Sequence, residues 1–137
     1  MGGILSLSRS NRGTALVEFA MVAPVFLMML LGIVGYGGYF WRAHAVQQAA
    51  NDGARAALAG LTAPERATLA RSVVKSQLAS LGGIDPLLAP TLVRETGDTL
   101  TVQVDYDDSQ DGFLKVGLVP LPATTIHRIA AVRLAGL

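Results

Sequence analysis

The acidic run DYDDSQDG, residues 105–112, is the part of the sequence that most resembles a metal site. Acidic oxygens at alternate positions resemble half of a calcium-binding loop. However, Gln110 occupies the turn position at which such a loop requires glycine, and Val116 stands where a bidentate glutamate is required. A solvated acidic loop between strands is therefore the preferred interpretation, and calcium binding by the Asp105–Asp111 loop is the alternative.

No other combination of residues in the sequence suggests catalysis. The chain has no cysteine, which excludes a thiolate nucleophile, a disulfide framework and a thiolate zinc site. His44 and His127 have no partner at metal-ligand spacing. Phosphate-binding, dinucleotide-binding, zinc-protease and serine-hydrolase motifs are all missing. We therefore expect a protein that is not an enzyme, with no catalytic residues, no metal and no cofactor.

Glu18 is a carboxylate at the border of a long apolar stretch. The 23 residues between Glu18 and Arg42 carry no charge. A carboxylate in this place is costly if it enters hydrocarbon unpaired. On the simplest interpretation, Glu18 stabilises the first turn of a helix, where a negative charge favours the helix dipole. The alternative is that Glu18 has a functional role, and the residues around it help to decide between the two interpretations.

The apolar stretch predicts a membrane-spanning helix at about residues 20–41. Its 22 residues, Ala20 to Trp41, would extend about 33 Å as a helix, which matches a hydrocarbon core of about 30 Å. Pro24 lies near its start, where a kink is tolerated in a membrane helix. Aromatic residues cluster at the other end, as expected at a headgroup layer: Tyr36, Tyr39, Phe40 and Trp41.

Gly32, Gly35 and Gly38 recur every three residues within this stretch. Such a stripe of small residues permits close packing between membrane helices. The alternative is that these glycines only loosen the helix. Both interpretations stay open.

The charged flanks predict the orientation of the helix. Arg9 and Arg12 precede it with no acidic residue before Glu18, so we expect the N-terminus inside and the residues beyond Trp41 outside. Arg42 can extend its charge to the membrane interface. A cleavable secretory signal ending at Ala45 is the rival, but its apolar region would be longer than the usual 7–15 residues or so.

The residues from Arg12 to Phe19, RGTALVEF, resemble the processing site of type IV prepilins, in which a basic leader ends in glycine. The longer stretch RGTALVEFAMVAPVFLMMLLGI, residues 12–33, resembles the TadE-like family of tight-adherence (Flp-type) pseudopilins. The segment QAANDGARAA, residues 48–57, resembles that family as well. The resemblance covers about residues 12–60.

The resemblance implies cleavage after Gly13 by a prepilin peptidase. Thr14 would then be the first residue of the mature chain, with Glu18 fifth and Phe19 sixth. It also implies a set of partners, namely other pilin or pseudopilin subunits, a secretion ATPase, an inner-membrane platform and an outer-membrane channel. In such assemblies the new α-amine of one subunit could pair with Glu18 of its neighbour, which we state as a hypothesis.

The residues after the membrane stretch predict more helix. Small residues at helical spacing form a seam suited to close packing: Ala45, Val46, Ala49, Ala50, Gly53 and Ala57. A capping box from Thr62 to Glu65 predicts a second helix that ends at about Leu81, before Gly82 and Gly83. We expect its buried stripe to consist of Leu69, Val73, Leu78 and Leu81, with Val74 at the margin.

Alternating residues then predict strands. The stretches 91–95 and 99–106 flank a turn at Thr96-Gly97-Asp98, and a last strand is expected at 124–134. The side chains of Leu100, Val102, Val104 and Tyr106 should share one face. The apolar segment KVGLVPLP, residues 115–122, is either a packed crossover or a contact surface. The expected fold class is α+β, with a long membrane helix, a second helix and a small antiparallel sheet.

These observations predict three regions and one function. Residues 1–13 form a leader, 14–59 a long helix and 60–137 an exported α+β domain. We expect a minor pilin or pseudopilin of a tight-adherence pilus, in the bacterial inner membrane. The net charge of +1 shows no nucleic-acid footprint. The alternatives are an uncleaved membrane-tethered binding module and a protein secreted after cleavage at Ala45.

Overall fold

The computed structural model describes residues 11–110 and 125–134. Two helices, α1 (Asn11–Ala57) and α2 (Ala63–Ser80), precede the strands β1 (Thr91–Thr96), β2 (Thr99–Asp107) and β3 (Thr125–Arg133). Single 3₁₀ turns lie at Pro86–Leu88 and Asp108–Gln110. This architecture confirms the predicted α+β fold class, with its long apolar N-terminal helix, second helix and antiparallel sheet.

Helix α1 has 47 residues and continues through Pro24 without interruption. Its first half is exposed, and its second half packs into the core from about Ala43 onward. The seam of small residues predicted between Ala45 and Ala57 is buried at every predicted position. Helix α1 therefore has an apolar half that is mostly exposed in the described part of the chain, and a half that helps to build the globular part, which we define as residues 43–110 and 125–134.

The two helices approach closely at Gly53. A Cβ atom at Gly53 would lie 2.6 Å from Val74 Cγ2 and 3.0 Å from the Ala70 carbonyl oxygen. Only a residue without a side chain therefore fits this crossing without a shift of α2. Gln77 Nε2 also donates to Asp52 Oδ2 at 3.1 Å, which fixes α2 antiparallel to the second half of α1.

The predicted buried stripe of α2 was displaced by part of a turn. The buried residues are Ala70, Val74 and Leu78, whereas Leu69, Val73 and Leu81 are only half-buried. The prediction favoured large side chains. Leu78 is buried as predicted, and Val74, predicted at the margin, is fully buried. Ala70 joins them because the backbones of α1 and α2 approach closely there.

The predicted cap of α2 is present. The Glu65 N–H donates to Thr62 Oγ1 at 3.4 Å, and Glu65 Oε2 accepts from the Leu61 N–H at 2.9 Å. Two N–H groups at the start of the helix are thereby satisfied. Leu81 is the residue at the other cap, so α2 ends where the sequence indicated.

The sheet is antiparallel with the order β1-β2-β3. Thr96 pairs with Thr99, so the turn has two residues, Gly97 and Asp98, one fewer than predicted. Gly97 has a φ of +57°, which suits the first position of a type II′ hairpin turn. As predicted, one face of β2 is buried, and it carries Leu100, Val102, Val104 and Tyr106.

The helices cover this apolar face of the sheet. Val46, Val74 and Leu78 belong to the same buried cluster as the inward residues of β2 and as Ile126. Gln47 Nε2 donates to the Ile129 carbonyl oxygen at 3.1 Å, which attaches α1 to the backbone of β3. The predicted crossover or contact segment, residues 115–122, lies outside the described residues.

Candidate functional site

The predicted processing residues lie in the first turns of α1. Gly13, Thr14, Glu18 and Phe19 are all exposed, and 71% of Phe19 is accessible to solvent. A Cβ atom at Gly13 would have no neighbour within 4 Å. Thr14 and Glu18 are four residues apart and therefore share one face, about 6 Å apart along the helix axis. The helix thus brings the predicted new N-terminus and the carboxylate to the same side.

The apolar half of α1, residues 19–41, is hydrophobic around its whole circumference. Large side chains are exposed along it, among them Phe19, Val25, Met29, Ile33 and Phe40. It is long and apolar enough to cross a membrane, and its most apolar stretch is not buried against any described part of the chain. A helix that is apolar on all sides and unburied is typical of a membrane span. The chain is therefore described best as a membrane-anchored protein.

The predicted glycine stripe lies on this apolar half. Gly35 is buried, and Gly32 and Gly38 are half-buried, although most large side chains near them are exposed. At Gly38, a Cβ atom would lie 3.7 Å from Arg42 Nη1 and 3.9 Å from Arg42 Nη2. The Arg42 guanidinium therefore lies beside Gly38. Packing of the stripe against another helix stays a prediction.

Arg42 joins the end of the apolar half to the sheet. Its Nε lies 2.8 Å from Asp108 Oδ1, and its Nη2 donates to Asp108 Oδ2 at 3.1 Å. The two side chains are 20% and 11% exposed. The Nη2 contact is a charge-assisted hydrogen bond, whereas the Nε contact is a close approach of opposite charges without hydrogen-bond geometry. The Arg42 side chain is therefore directed to a carboxylate of its own chain, where the sequence suggested an extension to the membrane interface.

Arg128 adds a second connection at the same level of α1. Its Nε donates to the Ala43 carbonyl oxygen at 3.3 Å, although Arg128 lies on β3. Tyr39, one turn before Ala43, packs against the buried cluster. The junction between the apolar half of α1 and the globular part is thus held by an ion pair, a hydrogen bond and an aromatic contact. The ion pair and the hydrogen bond could not be predicted from the sequence, because their partners lie more than 60 residues apart.

The carboxylates of the candidate calcium loop have separate partners. Asp105 Oδ1 lies 2.8 Å from His127 Nδ1, and Asp108 pairs with Arg42. In the two described ranges, no three acidic or histidine side chains converge as metal ligands would. Asp111, the last member of the loop, lies outside these ranges. Asp105 and Asp108 are thus each paired with a side chain from another element of the fold.

Comparison with known families places part of the chain beside a known family. The model of the TadE-like protein family matches residues 13–55. The match begins at the predicted processing glycine, includes the whole apolar half of α1, and ends two residues after Gly53, at which α1 and α2 cross. It confirms the family resemblance predicted from the sequence. No curated protein matches the chain, and no solved structure does.

Proposed function

Because residues 13–55 match the TadE-like family, we propose that this chain is a minor pilin or pseudopilin that takes part in assembly of a tight-adherence pilus. The observation that carries the proposal is the coincidence of this match with a helix that is apolar on all sides and unburied. Such a helix suits a subunit that is first stored in a membrane and then packed against other subunits, because both environments cover apolar surface.

Processing after Gly13 is part of the proposal. The lack of a side chain at Gly13 lets the backbone enter a narrow protease cleft, and nothing in the described chain crowds that position. Cleavage would create an α-amine at Thr14, one helical turn from Glu18. An opposite charge at this distance offsets part of the cost of placing the carboxylate in a low dielectric.

The proposed location is the bacterial inner membrane, crossed once, with the leader in the cytoplasm and the globular part outside. The basic residues Arg9 and Arg12 support this orientation, since short basic flanks stay in the cytoplasm. The proposed partners are those of the assembly apparatus: a prepilin peptidase, other pilin subunits, the secretion ATPase and the inner-membrane platform. No step of the proposal requires a cofactor.

The proposal is tested by measuring the length of the chain in cells with and without a prepilin peptidase, and again after substitution of Gly13. In cells with a prepilin peptidase we expect a chain shorter by the 13 leader residues, and in cells without it the full 137 residues. Gly13→Val should prevent the shortening. Gly37→Val is the matched control, because Gly37 lies on the same helix with equally open surroundings. A chain of unchanged length in peptidase-containing cells would contradict the proposal.

An uncleaved membrane tether is the second candidate. One observation favours it: helix α1 begins at Asn11 and continues through Gly13 without a break. On this hypothesis the helix anchors a binding module, and the leader stays attached. The same experiment separates the two candidates, since the tether retains its full length whether or not the peptidase is present.

A further inference from the structure

Strand β1 lies at an edge of the described sheet, because β2 pairs with one side of it only. Thr96 and Thr99 flank the two-residue turn and exchange the hydrogen bonds that close the hairpin. In phase with this pair, the Asp105 N–H donates to the Pro90 carbonyl oxygen at 3.2 Å. Hydrogen bonds to β2 therefore alternate along β1. The residues between them direct their backbone groups outward and form what we call the open edge: Thr91, Val93 and Glu95.

The open edge has no backbone partner in the part of the chain that the structure describes. The edge of β3 on the other side of the sheet differs. There the Ile129 carbonyl oxygen accepts from Gln47 Nε2 at 3.1 Å, and the His127 carbonyl oxygen accepts from Arg128 Nη1 at 2.9 Å. Side chains thus occupy part of the β3 edge. A strand edge whose N–H and carbonyl groups are unoccupied is a template for pairing with another strand.

Helix α2 runs alongside β1 in the opposite direction. Arg66, near the start of α2, pairs with Glu95, whereas Lys75 borders a shallow depression together with Thr91. Arg66 and Lys75 are about 13–14 Å apart along a helix, and Glu95 and Thr91 are about 13 Å apart along a strand. Helix α1 packs on β2 and β3, and helix axes stay about 8–10 Å apart, whereas strands are about 4.8 Å apart. Helix α2 therefore lies over β1 and extends over the position beside it, where a fourth strand would fit.

The charges at the Glu95 end of the open edge are mainly acidic. Arg66 holds both oxygens of Glu95, at 2.8 Å and 3.1 Å, and also donates to two carbonyl oxygens of the loop before α2. Its donors are therefore engaged within the chain. Glu65 is exposed beside it, and Asp98 lies in the adjoining hairpin turn. This end therefore offers no attraction to an acidic residue of a partner.

Cations predominate along the rest of the open edge. Arg71 and Lys75 are exposed at the other end of β1. The acid beside them is Asp85, whose Oδ1 accepts a hydrogen bond from the 3₁₀ turn at 2.9 Å. Arg94 is exposed on the opposite face of β1, and its partner in β2 is the uncharged Thr101. Acidic side chains of a partner would therefore be attracted at two places.

From these free backbone groups and this distribution of charge, we propose that the open edge binds an extended segment of another protein as a fourth strand, antiparallel to β1. Backbone hydrogen bonds hold the segment, and its alternate side chains determine which segments fit. Acidic residues are favoured opposite Arg94 and opposite Thr91, where the second reaches the cations of α2. The residue opposite Val93 should be apolar, and the residue opposite Glu95 should carry no negative charge.

A second copy of β1 does not fit at the open edge. Pairing two copies edge to edge would place both α2 helices over the same junction, since each extends over the position beside its own β1. Their axes would then lie closer together than the 8–10 Å or so that packed helices require. A segment that has no helix on this face fits the space, so the partner is an extended segment and not a copy of this chain.

The probe is the blocked peptide Thr-Glu-Val-Val-Glu, labelled with a fluorophore. In an antiparallel pairing its residues face, in order, Glu95, Arg94, Val93, Leu92 and Thr91. Titration with the full chain in detergent, followed by fluorescence anisotropy, should give saturable binding. The peptide with lysines in place of both glutamates should bind at least about tenfold more weakly. Absence of saturable binding below about 1 mM would overturn the proposal.

Methylation of single peptide nitrogens distinguishes strand pairing from attraction of charge alone. The middle valine of the peptide faces Val93 and donates its N–H to the open edge, so its N-methylation should weaken binding about tenfold. The next valine faces Leu92 and directs its N–H to solvent, so the same change there should have little effect. Equal losses from the two methylations would overturn the proposal. The protein is unchanged in this comparison, so altered folding cannot account for the result.

Charge reversal in the chain supplies an independent readout. Reversing both cations of α2, with Arg71→Glu and Lys75→Glu, should weaken binding about tenfold. The control of equal charge is Arg55→Glu with Arg133→Glu, which changes exposed residues on α1 and β3 and should leave binding unchanged. Glutamine in place of the last glutamate of the peptide should remove most of the difference. Unchanged affinity after the reversal on α2 would overturn the proposal.

Cross-linking tests whether a second copy occupies the open edge instead. The chain has no cysteine of its own, so Val93→Cys places a single thiol at the centre of the edge. Mild oxidation should give no more dimer than it gives with Ile129→Cys, at an exposed position on β3. A larger yield of dimer from Val93→Cys would show pairing between copies and overturn the proposal. The proposal does not depend on processing after Gly13, so it succeeds or fails separately from the function proposed above.

Discussion

Arg42 and Asp108 form an ion pair, with contacts of 2.8 Å and 3.1 Å, that joins the end of the apolar half of α1 to the residue that follows β2. Arg42 directly follows Trp41, the last residue of the 23-residue stretch without charge. The pair therefore lies where a helix within the membrane would continue into the globular part. It connects the end of β2 to that helix.

Asp108→Asn should weaken this junction. The substitution keeps the size of the side chain but removes the charge that the half-buried guanidinium faces. Charge-assisted hydrogen bonds contribute about 1.5–3 kcal/mol, so we expect a loss of this order in the free energy of unfolding. Thermal unfolding of the detergent-solubilised chain measures it. Asp98→Asn, in the exposed hairpin turn, is the control, and an equal loss from both variants would contradict a role for the pair.

Gly53→Ala should separate α1 from α2. The added methyl group would meet Val74 Cγ2 at 2.6 Å and the Ala70 carbonyl oxygen at 3.0 Å, and the second of these is backbone that cannot rotate away. Overpacking of this kind costs about 1–3 kcal/mol. Alanine regains up to about 1 kcal/mol through its helix propensity, so the net loss should be smaller.

Gly37→Ala is the matched control for Gly53→Ala, because a Cβ atom there meets nothing within 4 Å. Denaturant unfolding of both variants measures the difference in stability. A chain with Gly53→Ala that is as stable as one with Gly37→Ala would show that α2 can shift without cost.

Arg66→Lys should loosen the loop that carries Leu61. A lysine keeps the positive charge but cannot reach two carbonyl oxygens and both oxygens of Glu95 at once, since it lacks the planar fork. We expect faster hydrogen exchange at the backbone amides of residues 58–62 by about tenfold, with the core of β2 unaffected. Arg71→Lys, an exposed change on the same helix, is the control, and equal exchange in the two variants would contradict the expected role of Arg66.

Glu18→Gln should impair incorporation of the chain into pili. The substitution preserves the shape of the side chain and removes the charge with which a neighbouring α-amine would pair. We expect the amount of this chain in purified pili to fall about tenfold, while processing after Gly13 continues. Quantification against the major subunit measures it, with Asp98→Asn as the control. Normal incorporation of the Glu18→Gln chain would remove the pairing hypothesis.

The parts of the fold that follow from local pattern were predicted well from the sequence. Alternation fixed the inward face of β2, from Leu100 to Tyr106, because the period of a strand leaves little choice. The seam around Gly53 was found for the same reason, since small residues at helical spacing stand out. The end of α2 and its cap were placed by Thr62 and Glu65, whose chemistry is local.

What the sequence missed depends on residues distant in the chain. The buried face of α2 turned from Leu69 and Val73 toward Ala70 and Val74 because Gly53 lies opposite, and no pattern within α2 contains that information. The pairing of Arg42 with Asp108 was missed because ion pairs across 66 residues have no characteristic spacing. The turn at Gly97 is one residue shorter than predicted, because the register of a hairpin is set by both strands together.

The position of the first residue of the mature chain tests the central claim most directly. The protein should be extracted from the membranes of its own cells, and its N-terminus sequenced. The proposed pseudopilin begins at Thr14, four residues before Glu18. A chain that begins at Met1 would contradict processing and favour the uncleaved tether, and one that begins at Val46 would show instead a secreted protein without a membrane helix.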